Sequence, residues 1–372
     1  MNTNARLRFE LRPPGPVSAT CPQCFLFEPC GGLRNGRPLL NCFDQFCCDD
    51  KKCDHVCPYK PDDFRRRLWE IGGLRFDDIP PLRQIPLDLP RYVPMVHHAY
   101  RRSKALKAEI VSLDPYKIFG LRAGKYTALP RDGLLLRRHF KIVDDARIIL
   151  RGTAEDRFLE RYWEYRKTDD VAAQVARLNV SLFIGPNYSH FLDVPRSDLL
   201  YNRKRQLMCL AELSHAGVSV APNLSAVMPA DWDYWSGFLR ANPQLVHVAV
   251  NFQTGYRSRK EGLKAVNRVL QIQDKIGRAL SLLLIGGAQY VKDVADRLAS
   301  FTLIDSQPFK QSLYRKQFRP VGKRRRWEDT WTMQGAPIDE IMQRNVEEYA
   351  AWVGSHGSGD KLPRPCAVRP QS

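Results

Sequence analysis

From about residue 105 to residue 304 the chain repeats one pattern: a short run of β-branched and other apolar residues, then a stretch with helical spacing. Seven runs read as strands: Glu109–Leu113, Arg147–Leu150, Val180–Ile184, Val218–Ala221, Val246–Asn251, Leu280–Ile285 and Phe301–Ile304. Between the last five, helices are predicted over Ser197–Ala216, Asp231–Ala241, Glu261–Ile276 and Ala288–Ala299. Leu199, Leu200, Leu207, Leu210 and Leu213 mark the buried stripe of the first, and Gly217 and Gly277 are C-cap signals. Strands that are apolar nearly throughout are buried on both faces, and helical crossovers then make them parallel. The expected fold is α/β, a (β/α)8-type TIM-like barrel over residues 105–318. A doubly wound open sheet is the alternative; no Gly-rich dinucleotide loop follows any strand, which counts against it.

Other regions flank this core. Residues 1–20 read as a flexible arm and 21–62 as a Cys-rich metal module. Residues 63–104 read as a Pro-rich linker, with a helix candidate at Asp63–Glu70 and then Pro80, Pro81, Pro86, Pro90 and Pro94. Residues 319–372 read as a basic extension with a helix candidate at Ile338–Val353 and a Gly/Ser/Pro tail. No apolar run reaches the ~18 residues of a membrane span, and no apolar signal region opens the chain. A cytoplasmic protein is expected.

Eight of the ten cysteines fall in one short region: Cys21, Cys24, Cys30, Cys42, Cys47, Cys48, Cys53 and Cys57. In a long basic chain without a signal peptide, such a cluster reads as metal ligands rather than disulfides. Thiolates are soft ligands, and two four-cysteine sites would use all eight. Cys21-Pro22-x-Cys24 is compatible with a zinc knuckle. Cys53-x3-Cys57-Pro58 has the form of the last step of bacterial ferredoxin ligation. The expected cofactor is therefore an iron–sulfur cluster or Zn2+. A module with so few aliphatic residues would draw its folding free energy from the metal. Cys209, on an apolar helix face, reads as a core residue.

Lys and Arg number 58 against 40 Asp and Glu, a net charge of +18. Charge on this scale repels itself and points to a polyanionic partner. From Lys310 to Trp327 there are eight basic residues and no acid, with Tyr314, Phe318 and Trp327 interleaved. Lys323, Arg324, Arg325 and Arg326 are the densest part of that run and the expected nucleic-acid contact, DNA or RNA.

In a barrel of this kind the chemistry sits just beyond the C-terminal ends of the strands. Here those ends are polar. They read Gly185-Pro186-Asn187-Tyr188-Ser189-His190 followed by Asp193 and Arg196; Pro222-Asn223-Leu224-Ser225; Asn251-Phe252-Gln253; Gly286-Gly287; and Asp305-Ser306-Gln307-Pro308. Each has a local reading as a helix cap or turn, but five in succession point to a site. Asn187, Asn223, Asn251 and Gln253 carry the paired donors and acceptors that read a base edge or a sugar. His190 and Arg196 stand among them, and Tyr188 or Phe252 could stack on an extracted base. Gly286 and Gly287 would let a ligand approach the backbone. Asp305 is the candidate nucleophile or base, with Asp193 or Asp114 as a second carboxylate. Burial should raise the Asp305 pKa unless Arg196, Arg205 or Arg315 offsets it.

Two stretches resemble known families. Residues 181–235, through Asn187-Tyr188-Ser189, Asp193-x-Pro195, Tyr201-Asn202-x-x-Arg205 and Gly217-Val218-x-Val220-x-Pro222, resemble an uncharacterised barrel-like domain family found on phages and plasmids. Residues 285–315, through Ile285-Gly286-Gly287, Ile304-Asp305-Ser306-x-Pro308 and Arg315, are similar to the late strands of queuine-type tRNA-guanine transglycosylases. That second resemblance implies that Asp305 attacks the sugar carbon during base exchange while Gly286 and Gly287 face the base. The cysteines of that family follow the barrel; here they precede it. The expected function is a nucleic-acid-associated enzyme that modifies a base or nucleotide. The alternatives are a non-catalytic nucleic-acid-binding module of a mobile element or defence system, and a redox enzyme with a cluster near the barrel mouth.

Overall fold

The computed structural model describes residues 33–34, 37–38, 53–57, 60–190, 194–253, 256, 258–322, 324–333 and 335–356. Cys21, Cys24, Cys30, Cys42, Cys47, Cys48, Asp193 and Lys323 lie outside the described residues, as do the arm and the end of the tail.

Eight parallel strands form one sheet: β1 (Tyr92–Val96), β2 (Ile110–Leu113), β3 (Arg147–Arg151), β4 (Leu182–Ile184), β5 (Val220–Ala221), β6 (His247–Asn251), β7 (Ser281–Ile285) and β8 (Ser300–Asp305). Their spatial order is β6-β7-β8-β1-β2-β3-β4-β5. That is the chain order taken cyclically, the strand order of a (β/α)8-type barrel. The seven expected strands are present, and β1 is the eighth. It lies inside the expected linker, and Pro94 sits within it, in register with Asp305 of β8.

The connections carry helices: α1 (Pro61–Glu70) before β1, α2 (Gly133–His139), α3 (Asp156–Tyr165), α4 (Val171–Arg177), α5 (Arg196–His215), α6 (Pro229–Ala241), α7 (Arg259–Ile276), α8 (Val291–Ala295), α9 (Gln307–Leu313) and α10 (Asp339–Gly354). The long helix expected over Ala288–Ala299 is a 3-10 turn, Ala288–Tyr290, followed by the short α8. The basic stretch after α9 folds into an antiparallel hairpin, β9 (Lys316–Phe318) with β10 (Trp327–Asp329). No helix among the described residues is long and apolar enough to cross a membrane.

The chain divides into two compact units. Unit one comprises Met1–Pro86, Asp114–Gly133 and Ile149–Leu245; unit two comprises Leu87–Leu113, Leu134–Ile148 and Val246–Ser372. In unit one the core joins Leu150, Leu182, Phe183, Val220 and Trp235 to the apolar stripe of α5. In unit two it joins β1 and β6–β8 to Val266, Val269 and Ile272 of α7 and to Tyr349 and Val353 of α10. The expected extension therefore supplies a core helix.

Candidate functional site

Unit one holds buried polar groups just where its segments follow or end strands. Asp114 directly follows β2 and Arg151 ends β3. They form an ion pair with side chains 0% and 4% exposed, and the Tyr116 hydroxyl donates to the second Asp114 oxygen at 3.1 Å. Arg151 is in register with Ile184 of β4, and Ile184 with Ala221 of β5. A Cβ on the next residue, Gly185, would meet Gln206 and Leu210 of α5. Side chains alternate across a strand. The Arg151 side chain is thus on the sheet face turned away from α5. Gly152 has no room for a side chain: a Cβ there would stand 2.7 Å from Ile184 O. Its own carbonyl accepts from Asn187 N–H at 3.1 Å, which fixes the loop that carries Asn187.

A second buried charged group lies at the starts of α5 and α6. Asp231, 0% exposed, contacts Arg196 at 2.6 Å and Arg203 at 2.5 Å through Oδ1. Its Oδ2 accepts from Val227 N–H and Met228 N–H at 2.8 Å each, capping α6. Burial alone would raise its pKa, but Arg203 and Arg196 hold the carboxyl well below the usual range. His190 stands beside this group. Its Nδ1 is 2.7 Å from Tyr188 O, and its Nε2 is 3.3 Å from Ser225 Oγ. A carbonyl only accepts, so Nδ1 carries the proton and Nε2 accepts from Ser225. Burial and the charge of Arg203 lower the His190 pKa to about 4, so the ring is neutral at pH 7. Asn223 is 1% exposed, and its Nδ2 has no hydrogen-bond partner among the described residues. Such an orphaned donor is rare in a protein interior.

The end of the cysteine region reaches the same place. Val56 N–H donates to Asp198 Oδ1 at 2.8 Å, and Ser197 Oγ donates to Val56 O at 2.5 Å. Residues 53–57 are thereby pinned to the first turn of α5. Among the described residues no group of three His, Cys, Asp or Glu could hold a metal.

Tyr188 departs from its expected role. It is 1% exposed, its hydroxyl lies 3.7 Å from Cys209 Sγ, and the Arg205 guanidinium sits 4.1 Å from its ring centroid. That ring is packed into the core and presents no face to a base. Arg205 in turn is fixed by Glu160, at 2.6 Å.

In unit two, Asn251 Oδ1 accepts from Gln253 N–H at 3.0 Å. Gly286 has φ +70°, and a Cβ there would overlap the Gln253 side chain; one at Gly287 would stand 2.9 Å from the Phe252 ring. The close approach for which these glycines are needed is to the chain's own Gln253 and Phe252. Phe252 is buried between Tyr256 and Tyr290, so it too is not free to stack on a base.

Asp305 ends β8 and is 5% exposed. Gln307 N–H donates to Oδ1 at 2.9 Å, the Tyr349 hydroxyl to Oδ2 at 3.1 Å, and the Tyr92 hydroxyl to the backbone oxygen at 3.2 Å. Burial raises the carboxyl pKa, opposed by the bonds from Gln307 and Tyr349 and by the charge of Arg325. The offsetting arginine is therefore Arg325, not one of the three expected. Arg315 is occupied with the carbonyls of Ala336 and Pro337. Arg324 and Arg326 are exposed; Arg325 is exposed in part, but its guanidinium donates to the Tyr349 hydroxyl at 3.5 Å and stands 5.6 Å from the Trp352 ring centroid.

Each described residue of the predicted strand-end site follows or ends a strand at its C-terminal side; Cys53 and Cys57 precede α1, and Arg324, Arg325 and Arg326 precede β10. Asn187, His190, Arg196 and Asn223 belong to unit one; Asn251, Gln253, Gly286, Gly287 and Asp305 belong to unit two. Sequence reasoning gave no role to Arg151, Asp231 or Tyr349. An aspartate three residues into a helix after Met228-Pro229 is a capping signal, but nothing local announces two arginines on it.

The strand order defines the class: a (β/α)8-type chain, with polar residues just beyond the C-terminal ends of its strands. No family model matches it, and no curated protein does. Among solved structures it is similar to a protein of Anabaena variabilis ATCC 29413 described as a sugar phosphate isomerase/epimerase, at 12% identity and TM-score 0.30, over 57% of this chain and 78% of that one. It is also similar to an HpcH/Hpal aldolase/citrate lyase family protein of Burkholderia cenocepacia J2315, at 13% identity and TM-score 0.26, over 67% of this chain and 98% of that one. Likenesses at this level carry no argument about the reaction.

Proposed function

We propose that the chain is a nucleic-acid-associated enzyme that modifies a base or nucleotide at the C-terminal strand ends. The supporting observation is the concentration of buried charge there: Asp114 with Arg151, and Asp231 with Arg196 and Arg203 beside the His190–Ser225 pair. Withdrawing an ion from water is unfavourable by several kcal/mol, and well-packed apolar residues often serve stability as well or better. Fixed charges of this kind are suited to orienting a polar substrate and stabilising charge that develops on it. The net charge of +18 and the exposed arginines of the hairpin favour a polyanion as that substrate.

In the transglycosylase-like form of this reading Asp305 is the nucleophile. Attack by one of its oxygens on the sugar carbon would break the glycosidic bond and release the base, using a lone pair not engaged by the Gln307 N–H or the Tyr349 hydroxyl. The cysteine cluster is part of the proposal as a thiolate site for zinc or an iron–sulfur cluster. Iron or zinc retained after anaerobic purification supports it, and metal-free protein removes it.

The test of function is nucleoside analysis. Nucleic acid from cells producing the wild-type chain is digested and compared by mass spectrometry with that from cells producing Asp305→Asn or Asp114→Asn. A nucleoside that appears with the wild type and is lost in either variant, with nucleic-acid binding intact, is the expected result. Binding without any altered nucleoside leaves the non-catalytic binding module.

A further inference from the structure

Unit two displays three large aromatic side chains to solvent: Trp331 is 86% exposed, Tyr314 71% and Tyr100 68%. Hydrogen bonds connect the segments that carry them. Thr330 N–H donates to Arg315 O at 2.9 Å, which continues the β9–β10 pairing to the residues adjoining Tyr314 and Trp331. The Arg315 guanidinium donates to Ala336 O and Pro337 O. Ile338 N–H then donates to Arg101 O at 2.9 Å, and the Arg101 guanidinium stands 5.3 Å from the Tyr100 ring centroid.

The hairpin's other aromatics have a different task. Phe318 is fully buried, and Trp327 stacks on Tyr349 of α10 at 6.1 Å between centroids. The attachment of the hairpin to α10 thus uses Phe318 and Trp327 and leaves Tyr314 and Trp331 outside. Asn345 completes that attachment, accepting from Phe318 N–H and donating to Lys316 O and Ser312 Oγ at 2.7–2.8 Å. The platform is firmly seated.

Beyond the paired strands, Arg319 N–H donates to Arg326 O, and Val321 and Arg324 exchange backbone bonds near the tip. Arg319, Arg324 and Arg326 are exposed along this ribbon, while the Arg325 guanidinium is turned to Tyr349 and Trp352 of α10. The acids that meet the hairpin's cations are Glu328 by Arg326, Asp329 by Lys316, Glu348 by Arg319 and the buried Asp305 near Arg325. The ribbon therefore keeps a positive excess beside the exposed rings.

We infer that this strip is a stacking platform for single-stranded nucleic acid. The guanidinium groups neutralise phosphates, and Trp331, Tyr314 and Tyr100 take the faces of unpaired bases. A duplex keeps its base faces stacked inside and offers these rings nothing. The strip is built on the connections that leave the C-terminal ends of β1 and β8: Tyr100 follows β1, and Tyr314 follows α9, which begins just after Asp305. The inference rests on the nucleic-acid reading proposed above and specifies the strand state of the substrate.

Fluorescence anisotropy of the full chain with labelled oligothymidylate, oligouridylate and a mixed-sequence duplex of equal length tests it. The single strands should bind more tightly than the duplex. Trp331→Ala and Tyr314→Ala should each weaken single-strand binding about five- to a hundredfold, leave duplex binding unchanged and preserve the salt slope. Trp331→Phe should restore most of the loss. Both residues are exposed, so unchanged thermal unfolding confirms that the variants fold. The double variant Arg324→Ala, Arg326→Ala should instead flatten the log–log salt slope by about one and a half units. Equal binding of single strand and duplex, indifferent to Trp331→Ala and Tyr314→Ala, overturns the platform while the nucleic-acid reading stands. No binding of any of the three probes at low salt overturns both.

Discussion

Helices α5 and α7 are the two longest of the described residues, at 20 and 18 residues, and they use their charges in opposite ways. In α7 the buried residues are Gly262, Ala265, Val266, Val269 and Ile272, a stripe at helical spacing, and its lysines and arginines point to water. In α5 every residue from Arg196 to Leu207 is buried, including Arg196, Asp198, Arg203, Lys204 and Arg205. Apolar periodicity locates both helices. It does not say whether the residues between the apolar ones meet solvent or a site. A helix with a polar half buried on all sides needs partners for each charge, and α5 finds them in Asp231, Glu160 and Asp78.

The largest effect should come from removing the shared partner. Asp231→Ala leaves two guanidinium groups buried together and uncaps α6, and should destabilise by about 3–5 kcal/mol. Urea unfolding measures this, and a loss below 1 kcal/mol would mean that water already reaches the arginines.

His190 gives a pH signature. Its pKa of about 4 in the folded chain lies below the ordinary 6.5, so the folded state binds fewer protons than the unfolded one between those values. Stability is fully present above pH 6.5 and falls as pH drops towards 4, by at most roughly 3 kcal/mol. His190→Gln should flatten that part of a stability–pH curve, and an unaltered slope would place the titration elsewhere.

On α7, Gly262→Ala tests close packing. At an exposed helix position this change is favourable by up to ~1 kcal/mol, but here the new methyl would overlap the buried Tyr290 hydroxyl, and a loss of about 1–3 kcal/mol is expected. The smallest effect belongs to Lys264→Ala on the exposed face of the same helix, within about 0.5 kcal/mol by thermal unfolding. A clear loss there would erase the contrast between the two helices.

Much of the fold was legible because parallel strands announce themselves as continuous apolar runs between helices. Strand β1 was not, because Pro94 withholds a backbone N–H and the prolines before it read as an extended linker. The position of Asp305 at a strand end was legible; its cover was not. Tyr349 lies 44 residues further on, in a helix that reads as part of a tail. Likewise Asp114 and Arg151 are 37 residues apart, and no local pattern links them. The aromatics of the basic run show the same limit. Sequence interleaves Tyr314, Phe318 and Trp327 alike, whereas the hairpin fold sends Phe318 inward and leaves Tyr314 outside.

The pairing of β1 with β8 has a consequence for synthesis. Tyr92 and Leu303 are neighbours in the sheet, yet the ribosome makes the second about two hundred residues after the first. At about 5–20 residues per second, β1 waits some 10–40 seconds for that partner. During that interval an apolar strand has an unpaired edge, the kind of surface that invites mispairing. Slow closure of this kind makes the yield of folded chain more sensitive to translation rate and to chaperones than the stability of the finished molecule would indicate.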